Sequence, residues 1–105
     1  MSKWILLGCA GLLEIVFALA LKQSRGFSHL PMTFLAALAM VASLALLALA
    51  MRALPVSLAY AVWTGIGAVG TAVAGILLFG ESASALKLIS LALILAGMVG
   101  LKLSA

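Results

Sequence analysis

The chain has 105 residues, 68% of them hydrophobic and 8% charged, with a mean hydropathy of +1.44. A water-soluble domain of this size has too little interior to hide so much apolar surface, so the expected solvent is lipid. The formal net charge of +4 comes from six cations against two carboxylates. These cations mostly flank apolar runs, which reads as anchoring at a membrane interface and not as a nucleic-acid surface.

The first apolar run spans about 4–21 and contains Glu14 near its middle. At about 1.5 Å rise per residue the carboxylate lies roughly 15 Å deep in a hydrocarbon core about 30 Å thick. Placing an ionisable group there costs on the order of 2.5–3.5 kcal/mol, so an intramembrane carboxylate marks a functional site. Residues 1–20 share some features with a secretory signal, including Lys3 and Ala18-Leu19-Ala20. A glutamate at the centre of the apolar stretch argues against cleavage, and the segment is read as retained.

Three more runs follow at about 33–51, 58–79 and 86–103, each near the roughly 20 residues a spanning helix needs. Their length and Ala/Leu richness favour helix over strand. Pro31 and Pro55 are expected just ahead of a span, and Ser84 is expected to cap the fourth helix. The fold class is therefore all-α, one membrane domain of four transmembrane helices over 1–105.

Four spans place Lys3, Arg52 and Lys102 on one side and Lys22, Arg25 and Lys87 on the other. This balance gives the positive-inside rule nothing to act on, as expected of a chain that inserts both ways up. Four helices alone cannot enclose a cavity around a midplane carboxylate. An antiparallel, dual-topology dimer would solve this by reproducing an inverted repeat. Gly97 and Gly100 on the fourth helix suit close dimer packing. Gly65 and Gly67 on the glycine-rich third helix suit bending and gating.

Few uncharged polar groups lie within the spans. Tyr60 and Trp63 share a face of the third helix at i, i+3, and Ser43 lies near the centre of the second. Gly11 and Phe17 lie on or beside the Glu14 face. A cavity lined by these groups suits a small cation, through charge pairing and aromatic faces. The Ser and Tyr hydroxyls and the Trp N–H are expected to hold the carboxylate. Two other readings stay open: Ser43 and Thr64 bonding to the preceding turn's carbonyl, and Tyr60 and Trp63 forming an interfacial belt. Trp4 and Phe27 read mainly as belt residues. Cys9 is alone, and His29 has no partner at ligand spacing, so no metal or cofactor is expected. No nucleophile–base pair points to an enzyme.

Three strings carry a resemblance: Gly11-Leu12-Leu13-Glu14, the run Ala20-Leu21-Lys22-Gln23-Ser24-Arg25-Gly26-Phe27, and the run from Leu54-Pro55 through Tyr60-Ala61-Val62-Trp63-Thr64-Gly65-Ile66-Gly67. With these the chain resembles the small multidrug resistance family over essentially its whole length. The resemblance implies proton-coupled cation export by an antiparallel dimer in the cell's inner membrane. It implies that Glu14 takes proton and substrate in turn, with Ser43, Tyr60 and Trp63 lining the site. Gly65-Ile66-Gly67-Ala68-Val69-Gly70, Phe79-Gly80-Glu81-Ser82 and Gly100-Leu101-Lys102-Leu103 look like its guanidinium-exporting branch. That branch usually carries tryptophan three residues after the glutamate, where this chain has Phe17. The aromatic wall is kept and an N–H donor is lost, so bulkier quaternary ammonium cations are the alternative substrate. The expected partners are a small organic cation, protons, the bilayer and a second copy or a related chain. A non-transporting assembly subunit is the alternative outside transport.

Overall fold

The computed structural model describes residues 2–104 and consists of four α-helices: α1 Lys3–Gln23, α2 Leu30–Ala50, α3 Val56–Phe79 and α4 Ala85–Ser104. Among the described residues there is no strand. Each helix is long and apolar enough to cross a bilayer.

The helix ends follow from local chemistry. Ser2 caps α1, its Oγ accepting the Trp4 N–H at 3.3 Å. Helix α2 starts three residues earlier than the apolar run predicts. The His29 Nδ1 accepts the Met32 N–H at 3.3 Å, and Pro31 falls within the first turn. Proline is tolerated there because its missing N–H has no intrahelical partner to lose. Pro55 precedes α3 as expected. Ser84 caps α4 through the Lys87 N–H at 3.2 Å, also as expected. Gly80 ends α3 in the left-handed conformation at φ 66°, and the Glu81 N–H returns to the Gly75 carbonyl at 3.2 Å.

The α1–α2 turn is tighter than the sequence indicates. Ser24 is fully buried, its Oγ donating to the Leu21 carbonyl at 2.7 Å and accepting the Phe27 N–H at 3.3 Å. Arg25, Gly26 and Phe27 all have positive φ, a conformation that only the glycine adopts without steric cost.

Helix α1 packs along α2 and α3, α3 also packs on α4, and α2 meets α3 only slightly. The result is a slab of 41 × 34 × 18 Å. Its core gathers where the start of α1, the end of α2 and the start of α3 converge: Leu7, Ala10, Leu47, Ala50, Leu58, Val62 and Trp63. In lipid this packing is driven by van der Waals fit, since lipid tails are as apolar as leucine. No residue of α4 is buried. Lys102 does reach back across the bundle, its ammonium 5.2 Å from the Trp4 ring centroid.

A candidate cation site between the first and third helices

Side chains of one helix set into glycines of the other bring α1 and α3 together. A Cβ on Gly11 would overlap Ile66, one on Gly67 would overlap the Glu14 carboxylate, and one on Gly70 would overlap Ile15. Gly67 and Gly70 are three residues apart and so share a face. Gly65 points elsewhere and receives Met98 of α4. Thus the glycines that the sequence marks for bending serve as seats in a continuous α3 helix.

Glu14 lies midway along α1, against Gly67. Its Oε2 is buried and has no hydrogen-bond partner among the described residues. An unpartnered buried carboxylate oxygen is costly, which makes this position the candidate site. The carboxylate opens onto a cleft of about 500 Å³, within the size range of about 300–1,000 Å³ for small-molecule sites. Phe17, Ala18 and Lys22 line it from α1, and Thr64, Gly67, Thr71 and Gly75 from α3. Glu81 lines it near Gly75.

Of the residues expected around the carboxylate, Phe17 does line this cleft. Gly11 is buried one turn away beneath Ile66. Ser43, Tyr60 and Trp63 are placed differently from the sequence expectation. The Trp63 indole N–H donates to Ser43 Oγ at 2.9 Å, and that hydroxyl donates to the Ala10 carbonyl at 2.6 Å. Both side chains are spent on joining helices and not on Glu14. Tyr60 packs beside Trp63, with ring centroids 5.6 Å apart, but is 55% exposed. Thr64 donates to the Tyr60 carbonyl of the preceding turn at 2.9 Å.

Thr71 was not singled out from the sequence, yet it lines the cleft one turn beyond Gly67. Its signal was the i, i+4 spacing from Gly67, visible only once that glycine is known to face Glu14. Among the described residues no group of His, Cys, Asp and Glu side chains is arranged to hold a metal. Among the described residues no atom lies within 4 Å of a Cβ position at Gly97 or Gly100.

A multi-pass membrane bundle whose half-buried carboxylate opens onto a solute-sized cleft has the parts of a transporter. The sequence matches the family described as Small Multidrug Resistance protein over residues 2–94, and the chain belongs to that family. It is 61% identical over 103 residues to the guanidinium exporter of Salmonella typhimurium, covering 98% of each chain. It is 59% identical over 102 residues to the guanidinium exporter of Escherichia coli, covering 97% of each. The guanidinium exporter of Yersinia pseudotuberculosis is 59% identical over 101 residues, covering 96% of this chain and 97% of its own. Four spanning helices and bacterial relatives make the chain a multi-pass protein of the inner membrane.

Proposed function

We propose that the protein is a proton-coupled antiporter that exports guanidinium or small guanidinyl cations. The observation that carries this reading is the unpartnered, buried Oε2 of Glu14 at the head of a cleft, in a chain about 60% identical to guanidinium exporters. Guanidinium presents a planar fork of N–H donors that matches a carboxylate. A carboxylate that is protonated cannot also pair with the cation. Proton and cation therefore compete for Glu14, and inward proton movement drives the cation outward.

The working unit in this reading is an antiparallel homodimer, or a heterodimer with a related chain. Three observations support it: cations balanced three against three across the membrane, a fourth helix without a buried residue, and the open surface at Gly97 and Gly100. Two Glu14 carboxylates then share one site and titrate as a pair. Phe17 walls that site, and the exposed Tyr60 ring is available to it. Ser43 and Trp63 hold its supporting helices in place. Gly65 and Gly67 let α3 shift against α4 and α1 during exchange.

Purified protein in liposomes should move guanidinium against an imposed proton gradient, and Glu14→Gln should abolish coupled exchange. Coupled transport that survives in the Gln variant would overturn the role of Glu14. A second reading is export of bulkier quaternary ammonium cations. It is favoured by Phe17, which lines the cleft with an aromatic face and brings no N–H donor to fix the carboxylate.

A further inference from the structure

Glu81 repeats, at the outer end of the cleft, the arrangement that Glu14 has at the inner end. Glu14 sits on Gly67, and a Cβ on Gly75 would in the same way overlap the Glu81 carboxylate. Gly67, Thr71 and Gly75 fall at i, i+4 and i+8 on one face of α3. The two seats are therefore about 12 Å apart along the helix at about 1.5 Å per residue. On the facing helix Glu14, Ala18 and Lys22 follow the same spacing. Both carboxylates line one continuous cleft.

The local fold puts the Glu81 side chain there. Gly80 turns the chain in the left-handed conformation and returns the Glu81 N–H to the Gly75 carbonyl. This folds the carboxylate back over the α3 face. Its one ionic partner among the described residues is Lys87, with Oε1 3.4 Å from Nζ, and both side chains reach solvent. An exposed pair at that distance is weak and readily exchanged.

We propose that Glu81 on its Gly75 seat is a second, outer cation-binding station, which takes a small guanidinium-type cation in exchange for Lys87 and passes it along the Thr71 face to Glu14. This rests on the cation-export reading and adds to it a residue that sets capture. Lys22 and Lys87 border the station, so their charge keeps it a low-affinity site of transit and not a trap. In an antiparallel pair the two outer stations face opposite sides of the membrane, one for loading and one for release.

The test is the guanidinium concentration dependence of proton-driven flux in liposomes, for wild type, Glu81→Gln, Glu81→Asp and Lys87→Gln. The caps use the backbone N–H groups of residues 81 and 87, so these changes leave both helix ends intact. Glu81→Gln should raise KM about fivefold with a much smaller change in kcat, the size of effect a partly exposed charge contact has. Glu81→Asp should restore most of the wild-type KM, and Lys87→Gln should lower KM about twofold by freeing the carboxylate. A lower kcat at unchanged KM in Glu81→Gln would mark a structural role and overturn the station. If Glu81→Gln fails to assemble, Lys87→Gln decides alone, and an unchanged KM there overturns it. Insensitive variants in a working transporter defeat only the station. A wild type without guanidinium flux defeats the export reading as well.

Discussion

Trp63 donates its indole N–H to the Ser43 hydroxyl at 2.9 Å, joining α3 to α2, which otherwise touch little. The same hydroxyl donates to the Ala10 carbonyl on α1, so one buried serine ties three helices together. Ser43→Ala leaves the Trp63 N–H unpaired in a buried position. The expected loss is about 0.5–2 kcal/mol, the range for interhelical hydrogen bonds in membranes and for orphaned buried donors. Unfolding in detergent, followed by tryptophan fluorescence, measures it. Trp63→Phe removes the same bond, so the two losses should not add in the double variant. Strict additivity would refute the shared bond.

The Gly67 seat predicts a steep, position-specific response to one methyl group. Gly67→Ala places that methyl on the Glu14 carboxylate, whereas Gly8 has no atom within 4 Å of a Cβ position. Displacement of the reacting group by about 1 Å costs on the order of a hundredfold in rate, so Gly67→Ala should lose nearly all coupled flux. Gly8→Ala should stay within about twofold, because alanine is the better helix former. Equal fluxes from the two variants would show that α1 and α3 do not meet as described.

Phe17 shares the cleft with Glu14, and its ring cannot donate a hydrogen bond. Phe17→Trp adds an N–H beside the carboxylate. Competition between guanidinium and a bulky quaternary ammonium ion should then shift toward guanidinium by about three- to tenfold, the worth of one added hydrogen bond. An unchanged ratio would remove this residue as a determinant of selectivity.

Gly97 and Gly100 test the dimer separately from the chain's own fold. No atom of the described residues opposes either one, so Gly100→Leu should leave the secondary structure and thermal unfolding of the single chain unchanged. Sedimentation equilibrium in detergent should show weaker self-association, because a large side chain blocks close helix approach. Undiminished association would place the dimer surface elsewhere.

Much of the architecture was legible in the residues alone. Four apolar runs of spanning length, punctuated by Pro55, Gly80 and Ser84, fall where α1 to α4 form, because lipid leaves a buried backbone few options besides helix. The place of Glu14 midway along α1 needed only its position in the first run. The start of α2 was less legible, since His29 and Pro31 look like loop residues and act as cap and first turn. The sequence pairs Ser43 and Trp63 with the carboxylate because they are among the few polar groups within the spans. It could not show that they would satisfy each other first.

Composition, helix length and the lone carboxylate of the first run thus made this chain a four-span membrane protein with a glutamate as its candidate site, because local chemistry and the cost of burying charge need no partner to act. Only the tertiary structure decided what faces what. It set Glu14 on Gly67 and Glu81 on Gly75, and it tied Trp63 to Ser43. Those pairings depend on how α1 and α3 rotate about their own axes. In lipid, where every apolar face is equally comfortable, that rotation is chosen by the fit of side chains into glycines and not by hydrophobic pattern.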